Sequence, residues 1–279
     1  MSRLALLVVL GVLLVAGSAG TATVPHRIVS LSPTATETLF AIGAGKQVIA
    51  VDQQSDYPEQ APHTRLSYVN PNVEAIAAYK PDLVVVEYDS NGIVAALQKL
   101  GIRVAFQRAA RTFADVYGQI RQLGSLTGHV SQAAAVVTRM KARIAVSVAK
   151  GAPRARGLTV YHELEPDLYS ATSSTFIGQI YKLFGLRNIA DAADSGGTGY
   201  PKLSPEYVVS QSPDVIVLAD IRCCGQSLKT VAARPGWSSV SAVRSGTVVR
   251  IDDSVASRWG PRVVDFVRAV AAGLAHLGR

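Results

Sequence analysis

Residues 72–86 read NVEAIAAYKPDLVVV, and residues 204–218 read SPEYVVSQSPDVIVL. In each stretch a glutamate, Glu74 or Glu206, is followed seven residues later by Pro-Asp and then by four branched apolar residues. A helix that stops at the proline and leads into a buried strand explains both patterns. Because the same helix–strand unit occurs in both halves of the chain, we expect two similar lobes.

Short apolar runs alternate with helical patterns on both sides of these stretches. In the first half, strands are predicted at residues 27–31, 48–51, 83–87 and 103–106, and helices at residues 32–42, 73–79 and 93–100. In the second half, strands are predicted at residues 158–162, 215–218 and 247–251, and helices at residues 173–185, 204–210 and 261–277. Continuous apolar strands separated by helices are typical of a parallel sheet covered on both faces, so the fold class is α/β.

The alternation stops in the middle of the chain. Helices are predicted at residues 112–126 and 131–149, and the second would be about 28 Å long at 1.5 Å per residue. A Pro/Gly/Arg-rich stretch at residues 151–157 follows and indicates a boundary. We therefore expect two lobes with central, mostly parallel sheets, joined by one long rigid helix. The predicted division is residues 1–24 (leader), 25–127 (first lobe), 128–152 (linking helix) and 153–279 (second lobe).

The beginning of the chain is typical of an export signal. Arg3 precedes an uncharged run at residues 4–16, which is too short for a confident membrane span, and small residues follow it. We expect a signal peptide or an N-terminal anchor, and a protein at the periplasmic or extracellular face of the cell membrane. Residues 14–18 resemble a bacterial lipoprotein box in which Ser18 replaces the lipidated cysteine, so a lipid anchor is not expected. Cleavage of the signal stays open.

Composition excludes several classes of protein. The 279 residues are 48% hydrophobic, which argues against disorder, and the net charge of +8 comes from dispersed basic residues. Nucleic-acid motifs are lacking, so no nucleic-acid partner is expected.

The two cysteines are neighbours, Cys223 and Cys224, and adjacent cysteines bridge only through a small ring. Two thiols in a tight turn are the simpler prediction, with a disulfide or a redox role as the alternative.

The ordered set of phrases RIVSLSPTATETLFAIGAGKQVIAVD, SDYPEQA, VEAIAAYKPDLVVV and LSPEYVVSQSPDVIVL, with a long central helix between the last two, resembles one protein family. It is similar to the solute-binding proteins of ABC importers for vitamin B12, haem and ferric siderophores. The resemblance implies a class III periplasmic-binding-protein-like fold, with the ligand between the lobes and little closure. It also implies that one glutamate of each lobe, here Glu74 and Glu206, docks on arginines of a dimeric permease. Nothing in the sequence suggests oligomerisation, so a monomer is expected.

Ligands of open α/β sheets bind beyond the carboxyl ends of the strands. The loops expected there supply the predicted ligand-binding residues, which are Thr34, Gln53, Gln54, Tyr88, His162, Tyr169, Ser173, Ser174, Arg222, Arg258 and Trp259. Trp259, Tyr88 and Tyr169 offer flat rings for stacking, although a tryptophan at a helix entrance also often packs on its own lobe. Arg222 and Arg258 could pair with anionic groups of a ligand.

The stretch HELEPD, with His162, Glu163, Glu165 and Asp167, forms a compact polar group. An axial histidine on iron or cobalt is one interpretation, and solvated loop residues are the other. No second histidine lies at ligand spacing, so no resident metal or cofactor is expected.

Cobalamin is the preferred ligand, because the predicted cleft loops contain few cations and several neutral amides and hydroxyls. A ferric siderophore or haem is the alternative, with Tyr88 or His162 as an axial haem ligand. An extracellular scaffold protein or a hydrolase is less favoured. The G-x-S-x-G motif is missing, and the GAGKQ stretch lacks the first glycine and the Ser/Thr of a phosphate-binding loop. We therefore predict a binding protein and not an enzyme.

Overall fold

The computed structural model describes residues 23–275 and residue 277. The predicted leader, residues 1–24, therefore lies outside the described residues except for Thr23 and Val24. Among the residues that are described, no helix is both long and apolar enough to span a bilayer.

The chain forms two parallel sheets, each flanked by helices. The strands are β1 Ile28–Leu31, β2 Val48–Asp52, β3 His63–Leu66, β4 Leu83–Val86, β5 Arg103–Phe106, β6 Thr159–Glu163, β7 Arg187–Asn188, β8 Val215–Leu218 and β9 Val248–Arg250. The helices are α1 Pro33–Ala41, α2 Val73–Ala77, α3 Ile93–Lys99, α4 Phe113–Thr127, α5 Val130–Ala155, α6 Phe176–Phe184, α7 Pro205–Gln211, α8 Leu228–Ala232, α9 Ser241–Ser245, α10 Asp253–Ala256 and α11 Val263–Leu274.

The two sheets have related topologies. The first has the strand order β3-β2-β1-β4-β5, and the second has the order β7-β6-β8-β9. Strand β6 thus corresponds to β1, and the unit α7–β8 corresponds to α2–β4, so the repeated stretches occupy equivalent places. This confirms the predicted α/β fold. We refer to β1–β5 with α1–α4 as the first lobe and to β6–β9 with α6–α11 as the second lobe.

The repeated helices start through the same local chemistry. Asn72 caps α2 by accepting a 2.7 Å hydrogen bond from Ala75 N, and Ser204 caps α7 by accepting a 3.1 Å bond from Tyr207 N. An N-cap oxygen of this kind satisfies a backbone N–H that has no partner inside the helix. The caps fix where each helix begins, and they place Glu74 and Glu206 in the first helical turns.

Helix α5 is longer than the predicted linking helix, because it continues through Gly151 and Pro153 to Ala155. A Cβ atom at Gly151 would lie 2.8 Å from the ring of Phe184 in α6 and 3.2 Å from the Cα atom of Ala271 in α11. The glycine therefore lets α6 and α11 approach α5 closely. The helix therefore ends three residues later than the predicted position 152, and Gly151 serves packing inside the helix.

The apolar core is continuous between the lobes. One cluster of buried residues extends from Ile28 in β1 through Met140 in α5 to Phe266 in α11. The outer face of each sheet is covered by a separate, smaller cluster. Phe113 at the start of α4 also meets Phe176 at the start of α6, with 5.2 Å between ring centroids. Helix α5 thus packs against both lobes and joins their inner faces.

Candidate functional site

A cavity of about 240 Å³ lies where the two lobes meet, at the carboxyl ends of β1 to β4. Its walls come from both lobes and are formed by Pro33, Thr34, Gln54, Tyr68, Glu87, Tyr88, Ser257, Arg258 and Trp259. Larger hollows lie beside α5, beside α7 and at the amino end of β2, and none of these is lined by the residues that directly follow the strands of the first sheet. Five predicted residues, Thr34, Gln54, Tyr88, Arg258 and Trp259, are brought together here.

Aromatic side chains give the cavity flat walls. The rings of Tyr68 and Tyr88 are 5.8 Å apart and tilted, and Trp259 is half-buried against the shared core. Burial, together with the charge of Glu87 and the neighbouring phenols Tyr68 and Tyr200, raises the pKa of Tyr88 to about 12. Tyr200 belongs to the second lobe, so it approaches Tyr88 across the boundary between the lobes.

Glu87 is the acidic group of the cavity. It is buried, and its Oε2 accepts a 2.7 Å hydrogen bond from Ser32 Oγ. Burial raises the pKa of Glu87, while the hydrogen bonds from Ser32 and Tyr88 oppose that shift. Glu87 therefore presents an acceptor to a ligand that carries N–H or O–H donors.

Arg258 lines the cavity, but its charge is already balanced. Its side chain is 9% exposed and pairs with Glu37 at 2.9 Å and with Asp56 at 2.7 Å. It also donates a 2.7 Å hydrogen bond to the carbonyl oxygen of Gln54. Partial burial raises the pKa of Asp56, but the hydrogen bond and charge of Arg258 outweigh this and hold that pKa below its ordinary value. The pairing of Arg258 with an anionic ligand stays a prediction, and these two ion pairs disfavour it.

His162 is not in the cleft. It is fully buried in β6, packs between Tyr181 and Phe266, and its Nδ1 bonds to the hydroxyl of Tyr181 at 2.5 Å. Burial lowers the pKa of His162 to about 3, so the ring is neutral. Parallel strands are buried on both faces, which explains why this histidine turns inward. The predicted ligand role of His162 was wrong.

The other acidic residues of the HELEPD stretch do not lie together either. Glu163 is buried and pairs with Arg234 at 2.6 Å, whereas Asp167 pairs with Lys202 at 2.7 Å on the surface. The compact polar group expected from the sequence does not form, because β6 extends to Glu163 and buries its first two members.

The remaining predicted residues lie outside the cavity lining. Gln53 is exposed, Ser173 and Ser174 form the turn that precedes α6, and the exposed ring of Tyr169 faces the ammonium group of Lys202. Arg222 forms a 3.2 Å surface ion pair with Asp252.

Cys223 and Cys224 are joined by a disulfide, so the prediction of two thiols was wrong.

Glu74 and Glu206 are both exposed. Among residues 23–275 and 277, neither carboxylate forms an ion pair. Their helices occupy equivalent places in the two lobes, so the carboxylates are related by the internal repeat.

Sequence reasoning missed two groups of the cavity lining, Tyr68 and Glu87, and also Tyr200, which contributes to the raised pKa of Tyr88. Tyr68 follows β3, a short edge strand whose sequence HTRL lacks an apolar run, so that strand was not predicted. Glu87 was assigned to the end of a strand, and a buried acid directly after an apolar strand is the signal that could have identified it. Tyr200 lies in an irregular segment that carries no pattern.

A family model described as periplasmic binding protein matches residues 28–255. The chain belongs to this family. A relative from Bacillus subtilis, named an uncharacterized ABC transporter substrate-binding lipoprotein, is 31% identical over 90% of this chain and 80% of its own length. A protein of Halobacterium salinarum named cobalamin-binding protein is 34% identical over 88% of this chain and 69% of its own length.

A solved periplasmic binding protein has the same fold. The haem-binding protein RhuT from Roseiflexus, in its apo form, aligns with a TM-score of 0.76 and 22% identity, over 90% of this chain and 98% of that structure. At this identity the likeness concerns the fold.

Proposed function

We propose that this chain is the substrate-binding component of an ABC importer, and that it holds a corrinoid such as cobalamin between its lobes. The observation that carries the choice of ligand is the charge balance of the cavity. Its one arginine, Arg258, is neutralised by Glu37 and Asp56, while Glu87 adds an acceptor. An amide-bearing ligand fits this environment better than a polyanion does.

The shape of the cavity supports a broad, flat ligand. Trp259, Tyr68 and Tyr88 offer ring faces for stacking, and the side-chain amides of a corrinoid can donate hydrogen bonds to Glu87. The cavity of about 240 Å³ is smaller than ordinary ligand pockets of roughly 300–1,000 Å³, so it would take one edge of the ligand. The rest would lie in the open part of the cleft, near Tyr200.

Haem or a ferric siderophore is the second candidate, and the tyrosines in the cavity are the observation that favours it. A tyrosine binds ferric haem through its phenolate oxygen. The surroundings of Tyr88 oppose that state, because burial and Glu87 raise its pKa to about 12. Among the described residues that line the cavity, Arg258 is the only cation, and it is paired with Glu37 and Asp56, which disfavours propionates and catecholates.

Glu74 and Glu206 are proposed as the contacts with the permease. Each is an exposed carboxylate in the first turn of a capped helix, and the two helices are equivalent in the internal repeat. Equivalent carboxylates suit a two-fold partner, and planar arginine–carboxylate pairs would set the orientation of docking. We propose that docking takes place at the outer face of the membrane, after export directed by residues 1–24.

Retention of a coloured ligand tests the choice among corrinoid, haem and siderophore. Purified protein is incubated separately with cobalamin, haemin, a ferric catecholate and a ferric hydroxamate, then desalted, and the visible spectrum is recorded. We expect cobalamin to be retained in an equimolar amount and the others in trace amounts. Retention of haemin or of a ferric chelate in its place would overturn the assignment, and retention of none would refute the metal-chelate class as a whole.

A further inference from the structure

The two lobes are joined by a polar cluster that contains a buried carboxylate. Glu37 of α1 has a side chain that is only 1% exposed, and two arginines from the second lobe converge on it. Arg258 Nη1 lies 2.9 Å from Glu37 Oε1, and Arg262 Nε lies 2.9 Å from Glu37 Oε2. One acid of the first lobe thus anchors two cations of the second.

The loop after β2 adds further contacts between the same segments. Asp56 pairs with Arg258 at 2.7 Å and accepts a 3.3 Å hydrogen bond from Ser254 Oγ. The guanidinium group of Arg262 stacks over the ring of Tyr57 at 4.2 Å from its centroid. We refer to these residues as the cross-lobe cluster: Glu37, Gln54, Asp56, Tyr57, Ser254, Arg258 and Arg262.

The cluster accounts for the polar connection between the lobes. Within residues 23–275 and 277, the hydrogen bonds that join the first lobe to the second all involve its members. A carboxylate buried with two guanidinium groups is strongly coupled to them, since removal of one partner leaves an uncompensated buried charge. The contacts of the cross-lobe cluster therefore hold residues 254–262 against the first lobe, although this segment belongs to the second lobe.

Trp259 lies within residues 254–262, between Arg258 and Arg262, and lines the cavity. We infer that Glu37 is a positioning residue for the binding site, because it holds Arg258 and Arg262 and thereby fixes Trp259 against the first lobe. The wall of the cavity that carries Trp259 then moves with the first lobe.

The test uses ligand-free protein, so it is independent of the proposed function. Glu37→Gln keeps the shape of the side chain and removes its charge. Backbone amide exchange is measured by mass spectrometry for residues 254–262 and, as an internal reference, for β8 in the core of the second lobe. Arg268→Ala is the matched control, because Arg268 lies in α11, the helix that Arg262 precedes, but pairs with Asp265 within that helix.

We expect Glu37→Gln to speed exchange at residues 254–262 at least tenfold, with β8 unchanged and the control like the wild type. The fluorescence emission of Trp259, obtained by subtracting spectra of matching Trp259→Phe proteins, should shift to the red. Trp237 is fully buried and gives a constant background. Wild-type exchange at residues 254–262, or an equal increase in both lobes, would overturn the inference. If Glu37→Gln does not fold, Arg262→Gln is measured in its place. The expected result and the results that would overturn the inference are the same for this variant.

Discussion

Arg234 donates a hydrogen bond to each carboxylate oxygen of Glu163, at 2.6 Å in both cases. Asp220, the residue that follows Ala219 after β8, is buried nearby, and neither of its side-chain oxygens has a hydrogen-bond partner among the described residues. Burial first, and then the charge of Glu163, raise the pKa of Asp220 from 3.8 to about 7. One arginine thus serves two buried carboxyl groups, and a proton on Asp220 relieves their repulsion.

Asp220→Asn should stabilise the protein above neutral pH. Because the pKa of Asp220 is higher in the folded than in the unfolded state, its contribution is intact below pH 3.8 and is lost as the pH rises through about 7. The asparagine variant avoids that loss, so we expect a gain of roughly 2–4 kcal/mol in the free energy of unfolding at pH 8. Urea unfolding at pH 8 and pH 4.5 measures it, and the gain should shrink at the lower pH. Asp265→Asn, which alters a surface ion pair, is the control and should have the same free energy of unfolding as the wild type. An equal gain for Asp220→Asn at both pH values would show that the gain does not come from the charge of Asp220.

Glu87→Gln should weaken cobalamin binding. The substitution keeps the size of the side chain but replaces a charged acceptor, and hydrogen bonds to charged groups contribute about 1.5–3 kcal/mol. We therefore expect the dissociation constant to rise roughly 10- to 100-fold, as measured by titration of the cobalamin absorbance. Glu165→Gln, an exposed acid outside the cavity, serves as the control. An unchanged dissociation constant for Glu87→Gln would show that the ligand does not use this acceptor.

Trp259→Ala should also reduce cobalamin affinity, by roughly tenfold or more, because stacking and apolar burial by one aromatic ring contribute about 1–3 kcal/mol. Tyr169→Ala is the matched aromatic control, since Tyr169 lies outside the cavity lining and packs against Lys202. Equilibrium dialysis with cobalamin measures both variants. If Tyr169→Ala lost affinity and Trp259→Ala did not, the ligand would occupy a different part of the cleft.

Glu74→Ala and Glu206→Ala should impair uptake without changing ligand affinity. Both side chains are exposed and neither lines the cavity, so their removal affects the proposed docking alone. We expect each variant to lower the cellular uptake of cobalamin at least tenfold and the double variant to abolish it, while dialysis gives wild-type dissociation constants. Glu59→Ala, an exposed acid in a loop, is the control. Normal uptake by the double variant would rule out these permease contacts.

Much of the fold is predictable because local patterns determine it. The stretches around Glu74 and Glu206 contain a cap, a helix, a terminating proline and an apolar strand, and each element forms where that pattern places it. Strand β3 escaped prediction because edge strands are often short and polar.

The site is less predictable, because its residues depend on partners that are distant in the chain. Arg258 contacts Glu37, which lies more than 200 residues earlier, and no local pattern reveals that pairing. His162 stands at the end of an apolar strand, where a polar residue suggests a loop, yet strand pairing continues to Glu163 and buries the ring. Trp259 could be identified because a tryptophan followed by Gly-Pro indicates a loop at the start of a helix.

The shared apolar core has a consequence for how this molecule melts. Since Ile28, Met140 and Phe266 belong to one buried cluster, severing the chain within α5 would expose apolar surface on both fragments. Neither fragment should then fold on its own. Calorimetry of the intact chain should record a single unfolding transition. A protein assembled from two repeats has in this way become one cooperative unit.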